Sequence, residues 1–280
     1  MFFNAIIIMA QISPIETTQN VKSIIYKEFN INKEDSGMIV KGDLTGWITI
    51  YRFDKQHRVM QVEKLESDNS HYSTTFYSYD TLNNILKNES KNKYGEHACI
   101  EYIYNKKSKL VKEVRYGNGF LISYIIIHYE NDLISKKENY NSSDILISTY
   151  KYYYDLNGNK IKTTWITDGN EKFEEFEYDS LNRKLSYTLF SDSKYTYIYY
   201  DNSLVKVESY FENNRIEWIK QFTYDPNGRE IKIEYENKIN GSIRKDEYQY
   251  KYDAFGNVIE IIYFENDNAK YSKVYELQYN

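Results

Sequence analysis

The chain has 280 residues, with 36 Lys and Arg against 41 Asp and Glu; the resulting formal charge of −5 is spread along the whole length. That leaves no basic stripe for following a phosphate backbone, so nucleic acid is not an expected partner. Thirty-two tyrosines and only two prolines favour strand over helix, and the single cysteine, Cys99, rules out both an internal disulfide framework and a cysteine zinc cluster.

Residues 1–20 open with the apolar run Met1 to Gln11, which is too short to cross a bilayer as a helix, a task for roughly 20 apolar residues. Two readings stand for this stretch: a secretory signal, although the usual basic start is missing, or an ordinary or disordered start of the chain. Residues 21–46 read as a degenerate capping repeat. Tyr26-Lys27-Glu28-Phe29-Asn30 resembles a worn unit, and Gly37, Gly42 and Gly46 are expected turns.

From 47 to 280 the pattern is regular. An aromatic residue followed by Asp or Asn recurs at Phe53, Tyr79, Tyr104, Tyr154, Tyr178, Tyr200, Tyr224, Tyr252 and Tyr279, and Tyr129-Glu130 fills the one gap. Successive spacings are 26, 25, 25, 25, 24, 22, 24, 28 and 27 residues, the fixed period of a repeat architecture. Each pair is preceded by an alternating run, such as Tyr150, Tyr152 and Tyr154, or Tyr248, Tyr250 and Tyr252 opposed by Glu247, Gln249 and Lys251. Period two is the strand signature, with one face aromatic and the other charged. The pair then opens a turn, for example Asp155-Leu156-Asn157-Gly158-Asn159, in which Asp accepts backbone N–H groups and Gly takes positive φ. A second run climbs back out, so each period predicts one β-hairpin. The missing glycine after Tyr200-Asp201 suggests a tighter loop there, which would account for the interval of 22. The expected turn residues are Asp80, Asp155, Gly158, Asp179, Asp225, Gly228, Asp253 and Gly256.

These motifs resemble the Rhs or YD repeat family. The match is closest at Tyr154 to Asn159, Tyr224 to Arg229 and Tyr252 to Asn257; Tyr79 to Asn84 and Tyr178 to Arg183 carry Asn in place of Gly. The resemblance implies an all-β fold of tandem antiparallel hairpins forming one continuous, twisted or curled sheet. It also implies a short, repeat-only member, because Asp225-Pro226-Asn227-Gly228 is followed by Arg229 and matches no self-cleavage motif, so neither the C-terminal self-cleaving core nor a toxin domain is expected.

No catalytic constellation emerges. The histidines His57, His71, His97 and His128 sit in different units, and no nucleophile elbow, zinc-protease helix or phosphate-cradling loop occurs. The repeating aspartates could in principle hold calcium, but one Asp per hairpin is more simply a turn residue. No catalytic residue, metal or cofactor is expected. Tyr195, Tyr197, Tyr199 and Trp218 form the expected ligand surface, weighed against a role as packed core. The function that follows is a non-enzymatic scaffold, secreted or in the cell envelope, presenting a surface to a protein or carbohydrate partner. The alternatives are a component of a polymorphic toxin system, either a shell fragment or an immunity-type protein, and a cytoplasmic location.

Overall fold

A computed structural model describes residues 21–33, 39–190 and 192–279, and among these every regular element is a strand. The reason begins in the turns. Asp155 N donates to Asn159 O at 3.0 Å and Gly158 N to Asp155 O at 3.1 Å. The Asp155 carboxylate meanwhile accepts Asn157 N at 2.9 Å and Asn159 N at 2.8 Å through Oδ1, and Asn159 Nδ2 at 2.9 Å through Oδ2. The same five-residue loop recurs at Asp54, Asp80, Asp179, Asp225 and Asp253. Its fourth residue is always left-handed: Gly158 at φ 83°, but also Asn83 at 67°, Ser108 at 58° and His57 at 59°. Glycine is preferred there and not obligatory.

Other hairpins close with two left-handed residues, at Asn131-Asp132, Asp168-Gly169, Asn213-Asn214 and Asn266-Asp267, the dihedral signature of type I′ turns. Tyr129-Glu130 departs from the motif because its hairpin uses this shorter turn. The loop at Tyr200 is not tightened: Tyr200 N donates to Leu204 O and Ser203 N to Tyr200 O, as in the five-residue loops. Tyr199 occupies the aromatic position and Tyr200 the Asp position. The short interval comes instead from the preceding hairpin, whose strands have only 6 and 7 residues.

The chain divides into two compact units, Tyr77–Asp246 and Met1–Phe76 with Glu247–Asn280. The first is a meander in which each strand pairs with the next: β6 (Ile85–Asn92), β7 (His97–Tyr104), β8 (Leu110–Gly117), β9 (Phe120–Glu130), β10 (Leu133–Asn141), β11 (Leu146–Tyr154), β12 (Lys160–Thr167), β13 (Asn170–Tyr178), β14 (Lys184–Leu189), β15 (Ser193–Tyr199), β16 (Val205–Glu212), β17 (Arg215–Tyr224) and β18 (Glu230–Asn237). The second holds β1 (Val21–Lys33), β2 (Ile39–Leu44), β3 (Ile48–Phe53), β4 (Val59–Leu65), β20 (Val258–Glu265) and β21 (Asn268–Tyr279). Strands β5 (His71–Tyr79) and β19 (Ile243–Tyr252) carry the chain across the division.

The second unit overturns the expectation of an open, twisted or curled sheet. Strand β1 pairs on one edge with β21, through Tyr26↔Tyr275 and Lys27↔Val274, and on the other with β3, through Ile24↔Tyr51 and Tyr26↔Thr49. First and last strands are therefore joined, and the hydrogen-bonded order closes into a 20-strand antiparallel β-barrel. β2 continues β3 along the same edge of β1, through Ile31↔Lys41, so the two form one interrupted strand. An open strip would leave two rows of unpaired N–H and C=O groups, and the 13 residues of β1 cover both. Of the expected turn glycines, Gly46 breaks β2 from β3 at φ 78°, Gly42 lies inside β2, and Gly37 falls outside the described residues, as does the stretch 1–20.

A second device recurs in the meander. The aromatic residue of the pair sits at a register shift just before the turn, at Tyr104, Tyr154, Tyr178 and Tyr199. Such a bulge re-aims its side chain. Each hydroxyl then donates to a main-chain oxygen at the start of a strand one hairpin earlier: Tyr104 to Ile85, Tyr154 to Ile134, Tyr178 to Lys160 and Tyr199 to Lys184, at 2.6 to 3.0 Å. The repeat is thus a tyrosine that pins the preceding hairpin and an acid that closes its own.

Candidate functional site

The most organised surface of the Tyr77–Asp246 unit is a row of rings running across β13 to β18. Register places Phe176 opposite Tyr187, Tyr187 opposite Tyr195, Tyr195 opposite Tyr210 and Tyr210 opposite Trp218. Ring centroids follow at 5.1, 5.7, 4.9 and 5.5 Å, and Tyr235 extends the row at 5.7 Å from Trp218. These distances approach the strand spacing of about 4.8 Å, because rings on directly opposed residues of adjacent strands stand side by side. Interplanar angles of 21° to 45° turn their faces toward one another. Each contact adds about 0.5–1.5 kcal/mol beyond area burial.

With their faces engaged, the rings present edges and hydroxyls, and carboxylates sit among them. Tyr187 donates to Glu174 Oε1 at 2.9 Å, Tyr210 donates to Glu212, Ser193 donates to Glu212 Oε2 at 2.8 Å, and Lys220 donates to Glu208 Oε1 at 3.3 Å. Each of these carboxylates keeps its second oxygen without a hydrogen bond among the described residues. Burial pushes the Tyr197 phenol up to about 12, reinforced by the negative charge of Glu208 across from it. Burial and the bond to Glu174 do the same for Tyr187. Both hydroxyls therefore stay protonated donors at neutral pH. Lys220 lies 4.4 Å from the Trp218 centroid, and Lys184 lies 5.2 Å from that of Phe176.

Two of the four expected ligand-surface residues, Tyr195 and Trp218, belong to the row, Tyr197 lies beside it on the same strand face, and Tyr199 has another task. Tyr195 touches Tyr187, Tyr210 and Trp218; Trp218 joins Tyr210 to Tyr235 near the far end of the row; and Tyr197 pairs with Glu208. Tyr199 pins Lys184 through its hydroxyl and carries the Arg183 guanidinium 4.9 Å from its ring centroid. The expected turn residues lie in their loops, where their carboxylates are occupied by turn donors. Sequence reasoning missed Glu174, Glu208 and Glu212. Their signal was an acid at a strand position sharing a face with tyrosines, recoverable only once the register is known.

The opposite face carries ion pairs, with Lys162–Glu175 and Lys136–Glu138 within the strands and Lys194–Glu177 and His128–Glu138 reaching toward strand ends. A strand face turned to hydrocarbon would lose about 2–4 kcal/mol for each lysine at mid-depth, so this face suits water. Among the described residues no helix is long and apolar enough to cross a membrane, and no group of three or more His, Cys, Asp or Glu is placed to hold a metal ion. His97 and Glu89 are 2.6 Å apart beside the buried Cys99.

No protein-family model matches the chain, and no curated protein matches its sequence. Its backbone is similar to the crystal structure of TcdB2-TccC3-Cdc42, with a TM-score of 0.48 and 13% identity over 91% of this chain. The chain spans only 16% of that protein's length. Porin-like proteins from Bacteroides uniformis and Bacteroides vulgatus are similar over 92% and 94% of this chain and 98% and 99% of theirs, with TM-scores of 0.36 and 0.32 and identities of 12% and 11%.

Proposed function

We propose that the chain is a non-enzymatic hairpin-repeat scaffold of the Rhs or YD kind, and that the ring row of β13 to β18 receives an extended, basic segment of a protein partner. The observation that carries this reading is the pairing of stacked rings with half-satisfied carboxylates at Glu174, Glu208 and Glu212. Sugar stacking needs a free ring face, and here the faces are engaged by neighbouring rings. A polypeptide needs hydrogen-bonding edges and charge, which the phenols and carboxylates supply. The test is selection of extended peptides from a displayed library on the wild type and on a Glu174→Gln, Glu208→Gln, Glu212→Gln variant. Enrichment of Lys- and Arg-containing peptides on the wild type alone supports the reading; equal enrichment on both, or none on either, refutes it.

A second reading, a shell component of a polymorphic toxin system, is favoured by the closed strand order, since a strip without free edges is what a container requires. Co-expression with the proteins encoded beside it, followed by size-exclusion chromatography, separates the two. A stable complex with a neighbouring toxin supports the shell reading, and its absence supports the scaffold.

A further inference from the structure

One hairpin end departs from the rest in both shape and charge. Where its counterparts read Asp155-Leu156-Asn157-Gly158-Asn159 or Asp225-Pro226-Asn227-Gly228-Arg229, the loop after β7 reads Asn105-Lys106-Lys107-Ser108-Lys109. The acid is replaced by an amide and three lysines are brought in. The loop after β9 is the two-residue turn Asn131-Asp132, shorter than the five-residue loops. A depression of about 440 Å³ lies here, lined by Asn105, Lys107, Lys109, Tyr129, Asn131 and Asp132. Its volume falls within the ~300–1,000 Å³ of small-ligand sites.

The polar groups of the depression are unevenly matched. Lys109 Nζ bonds Asp132 through Oδ1 at 2.5 Å and through the main-chain oxygen at 2.9 Å, and sits 5.0 Å from the Tyr129 centroid. Lys107 has no ion pair among the described residues, so one carboxylate faces more than one ammonium. Asn105 Oδ1 accepts Lys107 N at 2.9 Å and Lys109 N at 3.1 Å, and its amide N–H groups make no hydrogen bond among the described residues. The depression is therefore positive and rich in amide groups, in a chain whose overall charge is negative.

We propose that this notch binds a uronic acid residue of an acidic polysaccharide. The sugar carboxylate pairs with Lys107, and the ring hydroxyls bond the amides of Asn105 and Asn131. This site shares no residue with the ring row and does not depend on it.

The experiment is isothermal titration of the full chain with oligogalacturonate, with an uncharged maltooligosaccharide and with inorganic phosphate as comparison arms. Oligogalacturonate should bind and the neutral oligomer should not. Lys107→Ala, which alters only an exposed side chain, should weaken binding roughly tenfold or more, as expected for a charge-assisted hydrogen bond, and Asp132→Asn should strengthen it. The Glu174→Gln, Glu208→Gln, Glu212→Gln variant should bind oligogalacturonate like the wild type, so failure here and failure of the ring-row reading are told apart. No binding of oligogalacturonate, equal binding of the neutral oligomer, competition by phosphate at equal affinity, or an unchanged Lys107→Ala variant each overturns the proposal.

Discussion

The turn geometry makes a quantitative demand at Gly158. Its φ of 83° lies in the left-handed region, and a Cβ built there meets nothing within 4 Å, so any cost of substitution comes from the backbone alone. An L-residue held left-handed costs about 1–2 kcal/mol, more when β-branched, and the loss of unfolded-chain entropy returns about 0.4–1 kcal/mol. Gly158→Val should therefore destabilise by about 1–2 kcal/mol. Gly158→Asn should be nearly neutral, because Asn83 and Asn182 already hold this position at φ 67° and 60°. For a chain of this size each kcal/mol shifts Tm by about 2–4 °C. Gly256 repeats the geometry at φ 83° in another five-residue loop, so a Gly158→Val, Gly256→Val double variant should show the sum of the two losses. Differential scanning calorimetry reads all four proteins. Equal Tm values for wild type and Gly158→Val, or a larger loss for Asn than for Val, would show that left-handed strain is not what selects the residue at the fourth turn position.

Two further outcomes test other parts of the framework. Tyr178→Phe removes the hydroxyl that donates to Lys160 O at 3.0 Å; equilibrium urea unfolding should show a loss of about 1 kcal/mol, whereas no change would deny the pinning role. Glu260 lies buried in β20; burial alone would raise its pKa, but hydrogen bonds from Lys251, Ser272 and Lys41 overrule it and hold the carboxyl at about 2. With the folded value depressed from 4.5, its contribution is complete above pH 4.5 and is lost as pH falls toward 2. Glu260→Gln should cost about 1–2 kcal/mol at neutral pH, discounted because Lys41 and Lys251 are half exposed, and should flatten the acid limb of the stability profile. Tryptophan fluorescence across that range checks it.

Local chemistry was legible in the sequence to the extent that each signal was local. The Asp of the five-residue loops at Asp54, Asp80, Asp155, Asp179, Asp225 and Asp253 bonds N–H groups two and four residues on, a short-range pattern that repeats and can be counted. Tyr200 misled because Tyr200-Asp201 supplies an aromatic–acid pair one residue beyond the true aromatic position, and only the strand register decides that Tyr199 pins the previous hairpin. Gly42 misled for the opposite reason: glycine is compatible with a turn, yet pairing with β1 keeps it in β2. The site acids Glu174, Glu208 and Glu212 look like surface charges until cross-strand pairing sets them beside Tyr187 and Tyr210.

Closure was the feature with no local trace. Tyr26 and Tyr275 lie 249 positions apart in the sequence yet meet with rings 5.4 Å apart, and neither belongs to an aromatic–acid pair that the period marks. Repetition encodes how each hairpin follows the last, which is equally true of a strip that ends and of one that returns to its start. What separates the two is whether the terminal strands can satisfy each other's free edges. Here the separating feature is the length of β1, which pairs with β21 through Asn30 on one edge while pairing with β3 and then β2 on the other. Shortening β1 would therefore be expected to open the strand order while leaving the hairpins of the Tyr77–Asp246 unit paired, because their hydrogen bonds run only to neighbours in sequence. Hydrogen exchange on a variant with proline at Ile25 would read this directly: protection lost in β1, β3 and β21 but retained in β11 to β14 fits the argument, and loss throughout would show that the meander depends on closure.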